Sequence, residues 1–249
     1  MKTVELSKFS DYCEAARTAA NGAVYPLSVV QKYQSGRIFE LSRCVLIWHL
    51  CGFGFVLREP CESDCAEIIE LMKSARSEGR RLVYFCESDE ALEHFEESSD
   101  VVIQRRYFYE FSLDAAKSCE LPEGFELREL DGELLARMDG RITPAFSWES
   151  AEQFLQRGKG FCVTCGEKVA AWAFSAAVSD DEIDIGVETA EEFRGNGLAV
   201  CAAAEMIRYV LQAGKKPVWA CHSGNTASQR VAVKLGFEKI SECAAVQLA

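Results

Sequence analysis

A glycine-rich segment in the C-terminal half contains the residue types and spacing best suited to bind an anionic ligand. An alternating strand pattern precedes it, and a helical pattern with apolar positions three or four residues apart follows it. Glycine can adopt positive φ and leaves room beside the backbone, and the first N–H groups of a helix lack intrahelical acceptors and carry partial positive charge. We therefore predict a pyrophosphate-binding turn formed by Arg194, Gly195, Asn196, Gly197, Leu198 and Ala199.

Two better-known glycine motifs do not fit this segment. A P-loop needs Lys and then Ser or Thr after its last glycine, and no such pair follows Gly197. A dinucleotide-binding fingerprint needs a third glycine and an acidic residue after the next strand, and neither is correctly placed. The sequence thus argues against a P-loop and against an NAD-linked Rossmann enzyme.

The elements around the turn make the phosphate-binding interpretation more specific. A second strand from Pro217 to Cys221 follows, and Asn225 opens a further helix. This arrangement resembles the Gcn5-related N-acetyltransferase (GNAT) superfamily, whose signature is Gln/Arg-x-x-Gly-x-Gly/Ala. Arg194, Gly197 and Ala199 match that signature.

Within the superfamily, the chain looks most like the zwittermicin-resistance-type acetyltransferases. A GVET-x-x-x-x-RG-x-GLA segment, a W-x-C strand and an N-x-x-S helix recur there, and the resemblance covers the chain from Phe125 onward. The matching residues here are Thr189, Trp219, Cys221, Asn225 and Ser228. The last two would lie near the pantetheine of bound coenzyme A, or would only cap the helix, for which Asn and Ser are both suitable.

The resemblance implies transfer of an acetyl group from acetyl-CoA to the primary amine of a small molecule. In this fold the strands before and after the signature diverge, and the pantetheine arm lies between them. It hydrogen-bonds to the backbone of the first strand, here Val187 and Thr189. The pyrophosphate would contact N–H groups from Gly195 to Ala199, and Arg194 would add charge or brace the turn.

Acetyl transfer needs a deprotonated amine, a donor for the tetrahedral oxyanion and a proton for the leaving thiolate. Strand alternation places Glu182, Asp184 and Glu188 on one side if no bulge intervenes. Glu182 lies where some family members carry their base, Glu188 lies nearest the signature, and His222 follows the next strand. Glu182, Glu188 and His222 are therefore candidate proton acceptors. The alternatives are a solvated strand end for the carboxylates and an incidental position for the histidine.

The residue that protonates the thiolate is not evident. Many GNAT enzymes use a tyrosine seven residues beyond the asparagine, and Ala232 occupies that position here. Cys201 and Cys221 offer a covalent route, but neither has an evident cationic partner, so direct transfer is preferred. The missing tyrosine motivates an alternative function, that of a CoA-binding regulatory or scaffold protein without turnover.

The N-terminal half contains a partial copy of the C-terminal pattern. Gly79 to Ser88 aligns with Gly214 to Ser223 at an offset of 135 residues, so that glycine, two cations, valine, an aromatic residue, cysteine and serine coincide. At the same offset Glu59 and Glu62 fall on the signature arginine and glycine, and Pro60 removes a donor. Carboxylates there would repel a pyrophosphate, so this copy is expected to have lost the cofactor.

We therefore predict an α+β GNAT fold, a mixed and mostly antiparallel sheet flanked by helices, in a tandem of two units of which the first is degenerate. The degenerate domain would span residues 1–118 and the acetyl-CoA-binding catalytic domain residues 119–249, with a linker at 115–124. The alternative to a repeat is chance similarity of one short segment. Between the first helices of the catalytic domain, Phe146 and Trp148 either face the acceptor or pack in the core.

Composition narrows the classes of partner. The 249 residues include 39 acidic and 27 basic ones, and the formal net charge of -12 disfavours nucleic acid but is compatible with a cationic amine. The N-terminus lacks an apolar leader and no segment is long enough to span a membrane, so we expect a cytoplasmic protein without membrane contact. The twelve cysteines are scattered and are expected to be reduced and mostly buried, and with three histidines they predict no metal site. A monomer and a homodimer both fit.

Overall fold

The computed structural model describes residues 1–18, 21–112 and 119–249, and over these the chain is α+β. Its strands are Lys2–Thr3 (β1), Gly36–Glu40 (β2), Val45–His49 (β3), Phe53–Leu57 (β4), Val83–Cys86 (β5), Val101–Phe111 (β6), Glu126–Glu129 (β7), Gly160–Cys165 (β8), Lys168–Val178 (β9), Glu182–Thr189 (β10), Lys216–His222 (β11) and Phe237–Leu248 (β12). Its α-helices are Cys13–Arg17 (α1), Val24–Val30 (α2), Glu62–Ser77 (α3), Asp89–Glu96 (α4), Gly132–Ala136 (α5), Ala151–Arg157 (α6), Leu198–Gln212 (α7) and Thr226–Leu235 (α8). Short 3-10 helices are Leu6–Tyr12, Pro144–Phe146 and Glu191–Phe193.

The same order of elements occurs twice along the chain. β1-α1-α2-β2-β3-β4-α3-β5-α4-β6 is followed by β7-α5-α6-β8-β9-β10-α7-β11-α8-β12. The strand pairing repeats as well. In each half the first four strands, β1 to β4 and β7 to β10, each pair antiparallel with the next one along the chain. The fourth strand of each half then pairs parallel with the fifth, β4 with β5 and β10 with β11. The predicted tandem of two units, each with a mixed sheet flanked by helices, is confirmed.

The two compact units are not two consecutive halves of the chain. One comprises Met1–Tyr107 with Ser241–Ala249, and the other comprises Phe108–Ile240. The last strand explains the first grouping, because Ala244, Ala245 and Val246 of β12 pair antiparallel with β5. Part of the predicted linker, residues 115–118, lies outside the described residues, and the boundary between 118 and 119 stays a prediction.

The core of each unit forms beneath the long helix that follows its fourth strand. In the first unit α3 buries Ile68, Met72 and Ala75. In the second unit α7 buries the apolar face that the sequence predicted, with Ala199, Ala203, Met206, Ile207 and Val210. Residues Val169 to Val178 of β9 are all buried, because α7 and the 3-10 helix Pro144–Phe146 both pack against this strand.

The expectation that all cysteines are reduced is wrong at one pair. Cys119 and Cys201 form a disulfide, with Cα atoms 5.1 Å apart and a sequence separation of 82 residues. Spacing along the chain gave no sign of this pair, since only the fold brings the two residues together. The remaining cysteines are free thiols, and burial raises the pKa of Cys162 to about 11 and of Cys243 to about 12. Such thiols behave as small apolar groups.

Within the described residues, no helix has the length and apolar character needed to cross a membrane.

Candidate functional site

β10 and β11 diverge, and this divergence creates an opening beside the backbone of β10. They pair only from Glu182 with Lys216 to Asp184 with Val218, whereas β10 stays paired with β9 up to Thr189. Ala190 N–H donates to Ala170 O on the β9 side. Because successive residues of a strand direct their backbone groups to alternate sides, the backbone groups of Val187 and Thr189 point away from β9, toward the opening.

The glycine turn lies at the end of this opening. Gly195 has φ +89° and Gly197 has φ +73°, conformations that favour glycine strongly. A Cβ atom on Gly195 would meet no atom within 4 Å. Gly197 is the N-cap of α7, no side chain caps that helix, and its first turn contains no acidic residue. The start of α7 is thus open on the side where an anion would bind.

The flanking residues of the turn have separate roles. Asn196 Nδ2 donates to Phe193 O at 3.1 Å, which braces the turn, and Arg194 is exposed. Leu198 and Ala199 form the first residues of α7 and are buried. Lys234, in the last turn of α8, was missed by the sequence analysis: its Nζ lies 4.0 Å from where a Cβ of Gly197 would be. No local pattern could reveal it, because packing of α8 beside α7 brings it to the turn.

Asn225 and Ser228 each have a structural partner. Asn225 Oδ1 accepts the Ser228 N–H at 3.1 Å and caps α8, and Ser228 Oγ accepts from Trp219 Nε1 at 3.0 Å. The capping alternative therefore describes their geometry, and a contact with pantetheine stays a prediction for both.

Asn225→Ala is expected to lower the free energy of unfolding by about 1 kcal/mol, because the first turn of α8 loses its side-chain acceptor. Urea denaturation at neutral pH measures this change. Asn225→Ser is the matched control, since serine also caps helices and should restore most of the loss. A full loss in the serine variant would contradict a role in capping.

Of the three candidate proton acceptors, Glu182 and Glu188 lie far apart along β10. Glu188 lies six positions after Glu182 along an extended strand, which is roughly 20 Å. The register of β10 against β9 shifts between Asp184 and Ile185, but the extra residue, Ala176, lies on β9, so the alternation of side chains along β10 itself is not interrupted. Glu182 lies at the closed end of the opening, where burial raises its pKa; Lys216 opposes this and nearby carboxylates add to it.

Glu188 and His222 lie beyond the point where the strands separate. Glu188 Oε2 accepts the N–H of Ile142 at 2.6 Å. His222 Nδ1 accepts the N–H of Gly224 at 2.9 Å, which assigns the proton of the neutral ring to Nε2.

Trp148 packs in the core and does not face a substrate. It is 2% exposed, and its Nε1 donates to Ser175 O at 2.8 Å. Its ring meets Phe154 edge to face at 5.8 Å between centroids. Phe146 is half-buried. Of the two aromatic residues considered for the acceptor side, only Phe146 retains that possibility.

In the first unit, β4 and β5 correspond to β10 and β11, and aromatic side chains fill the space beyond their paired residues. Phe55 of β4 and Phe85 of β5 lie one residue beyond the last paired residues of those strands, and their rings are 5.1 Å apart. Residues 58–61 connect β4 to α3, whereas residues 190–197 connect β10 to α7, so the first connection is four residues shorter. The ungapped alignment of Glu59 and Glu62 with the signature is therefore wrong within this connection.

Asp64 occupies the start of α3. The N-cap of this helix is Cys61, and Asp64 lies in the first turn. Its carboxylate accepts N–H groups of Ser42 at 2.8 Å, Arg43 at 3.1 Å and Cys61 at 3.2 Å. Burial raises the pKa of Asp64, but these hydrogen bonds outweigh burial and the pKa falls below its usual value. The first turn of α3 thus contains a buried carboxylate, whereas the first turn of α7 contains no acidic residue.

Metal ligands are not grouped in the part of the chain that the structure describes: no three His, Cys, Asp or Glu residues lie together as a candidate site. The prediction of chemistry without a metal stays a prediction.

Two strands that diverge beside an open, glycine-initiated helix define a fold seen in known acetyltransferases. The chain is similar to a GCN5-related N-acetyltransferase-like protein from Streptococcus suis 89/1591, at 22% identity over 98% of this chain and 100% of that one, with a TM-score of 0.78. It is also similar to a tandem GNAT protein from the clavulanic acid biosynthesis pathway, at 13% identity over 100% of this chain and 97% of that one, with a TM-score of 0.63. These similarities show the GNAT fold.

The sequence profile of the GNAT acetyltransferase family matches residues 25–246. The chain therefore belongs to the GNAT acetyltransferase family. The uncharacterized N-acetyltransferase YdfB of Bacillus subtilis (strain 168) is 31% identical over 128 residues, which are 51% of this chain and 49% of that protein. The matched region thus spans about half the length of this curated relative.

Proposed function

We propose that this protein is an N-acetyltransferase that transfers an acetyl group from acetyl-CoA to the primary amine of a small molecule. The observation that carries the proposal is the opening between β10 and β11, which ends at the uncapped start of α7 with two glycines at positive φ. A thioester carrier with a long polar arm and a pyrophosphate has the shape and charge for such a site.

Each part of the cofactor has a proposed partner in the second unit. The pantetheine arm would hydrogen-bond to the backbone of Val187 and Thr189, as an added strand would. The pyrophosphate would lie on N–H groups from Gly195 to Ala199, with Arg194 and Lys234 supplying positive charge nearby. Asn225 and Ser228 would lie beside the arm.

The acceptor is proposed to be a cationic amine, which the net charge of -12 supports through long-range attraction. The amine must lose a proton before its nitrogen attacks the thioester carbonyl. The new N–C bond forms, the C–S bond breaks, and the thiolate of CoA leaves. Glu182, Glu188 and His222 are the candidates to accept the proton.

The zwittermicin-resistance-type branch, with its W-x-C strand and N-x-x-S helix, stays the proposed placement within the family. A cytoplasmic monomer or homodimer is proposed with it. Cytoplasmic proteins usually keep their cysteines reduced, and the disulfide Cys119–Cys201 departs from that expectation.

A second candidate function is that of a CoA-binding regulatory or scaffold protein. The observation that favours it is Ala232, which is fully buried in α8 at the position where many family members carry a tyrosine. No phenol is therefore available there to protonate the thiolate.

Calorimetry with CoA and a CoA-release assay with acetyl-CoA and a panel of amines separate these functions. Acetyltransfer predicts binding of CoA and amine-dependent release of the free thiol. Binding without release for any amine in the panel would favour the scaffold. No binding of CoA would contradict both.

A further inference from the structure

Ile142, in the connection between α5 and α6, is held at both of its backbone polar groups. Glu188 Oε2 accepts its N–H at 2.6 Å, and Trp172 Nε1 donates to its carbonyl oxygen at 2.7 Å. Glu188 and Trp172 lie directly opposite each other on β10 and β9, so their side chains project from the same face of the sheet. Two neighbouring strands thus bind one residue of the connection. We call Glu188, Trp172 and Ile142 the loop clamp.

Gly140 shows how closely the connection approaches these two side chains. A Cβ atom at this position would lie 2.4 Å from Trp172 Cζ2 and 2.6 Å from Glu188 Oε2. Trp172 is fully buried, so its ring has no space in which to move aside. Only a glycine fits here, and the connection is therefore held against the sheet at two adjacent points.

The loop clamp lies beside the part of β10 where the cofactor is proposed to bind. Glu188 lies between Val187 and Thr189, whose backbone groups point toward the opening, and it follows the point where β10 leaves β11. A shift of the connection would therefore change the space next to the bound thioester, on the face of the sheet from which the Glu188 side chain projects.

A carboxylate that accepts a proton from substrate must direct a lone pair at that substrate within hydrogen-bond distance. Oε2 of Glu188 accepts the Ile142 N–H at 2.6 Å, so this oxygen is directed at the connection. The geometry of Glu188 is accounted for by the backbone that it holds. Resting on the proposed acetyltransfer, we propose that Glu188 is a positioning residue that fixes the α5–α6 connection together with Trp172, and that it is not the proton acceptor.

Glu188→Gln and Glu188→Ala separate the two roles, because glutamine keeps an oxygen that accepts the Ile142 N–H but cannot accept a proton from an amine. We expect Glu188→Gln to keep kcat within about threefold of the wild type and to leave the exchange rate of the Ile142 amide hydrogen unchanged. Glu188→Ala should speed that exchange by about tenfold or more and raise the KM for the amine by about tenfold. The Kd for CoA should stay the same in both variants.

Two results would overturn the proposal. A loss of kcat of about 100-fold or more in Glu188→Gln, with the Ile142 amide still protected, would make Glu188 the general base. Exchange at Ile142 as slow in Glu188→Ala as in the wild type would show that Glu188 does not hold the connection. Glu167→Ala, at an exposed hairpin turn, is the matched control and should change none of these quantities.

The hydrogen-exchange measurement also keeps the loop clamp testable if acetyltransfer fails or if Glu188→Ala does not fold. In the wild-type protein, NMR should find that hydrogen exchange at the Ile142 amide is slowed by about 100-fold or more, because this N–H donates a hydrogen bond to the Glu188 carboxylate. An unprotected Ile142 amide would overturn the loop clamp by itself. Absence of CoA binding would overturn the proposed function and leave the loop clamp standing.

Discussion

Replacing Gly197 by Asp is expected to raise the Kd for CoA by about 100-fold relative to Gly197→Asn. Asp and Asn both tolerate the left-handed conformation of Gly197, and the nearest atom to a Cβ there is Lys234 Nζ at 4.0 Å, so both side chains fit. They differ in charge alone. A carboxylate about 4 Å from a phosphate charge costs about 1 to 4 kcal/mol, depending on exposure, and a pyrophosphate carries more than one such charge.

Calorimetry at low and high salt measures this effect, which should shrink as salt increases because the site is exposed. Gly166→Asp is a second control: Gly166 also has positive φ, at +57°, with no atom within 4 Å of a Cβ, but it lies in the turn between β8 and β9. It should leave the Kd for CoA unchanged. Equal Kd values for Gly197→Asp and Gly197→Asn would place the phosphates of CoA elsewhere.

Replacing Asp64 by Ala is expected to lower the free energy of unfolding by about 3 kcal/mol, because three backbone N–H groups lose their acceptor at the start of α3. Asp64→Asn keeps one side-chain oxygen and should lose about half as much. Glu70→Ala, on the exposed face of the same helix, is the matched control and should cost less than about 1 kcal/mol. Urea denaturation followed by circular dichroism compares the variants.

The pH dependence of this effect has a defined sign. Because the folded pKa of Asp64 is lowered from 3.8, its carboxylate stabilises the fold fully above the unfolded pKa, and this contribution is lost as the pH falls through the lower folded pKa. The difference in stability between the wild type and Asp64→Ala should therefore be constant at neutral pH and shrink in acid. A difference that grows on acidification would contradict the hydrogen-bonding role of Asp64.

Local patterns predicted most of the secondary structure. The strand predicted from Pro217 to Cys221 lies within the observed strand Lys216–His222, and α7 buries the face that its apolar spacing indicated. Such features depend on residues within a few positions of one another, so periodicity and turn chemistry are enough to find them. The glycine turn is also a local feature, because glycine is the residue type that adopts positive φ readily, as Gly195 and Gly197 do.

The repeat was only partly predictable. The match of Gly79 to Ser88 with Gly214 to Ser223 indicated it, and the duplicated order and pairing of strands confirmed it. An ungapped comparison could not show that the connection after β4 is four residues shorter than the one after β10. Only the ends of the paired strands reveal such a difference in length.

The sequence by itself determined the class of fold, the family and the place where an anionic cofactor is proposed to bind. Tertiary structure alone decided which groups surround that place, namely Lys234 beside the turn and Ile142 held by Glu188 and Trp172. In the first unit it decided that Asp64 binds Ser42 and Arg43 at the start of α3. It also decided the pairing of Cys119 with Cys201. The physical reason is distance along the chain, because contacts between residues twenty or more positions apart arise from the packing of whole elements and leave no periodic signal in any one of them.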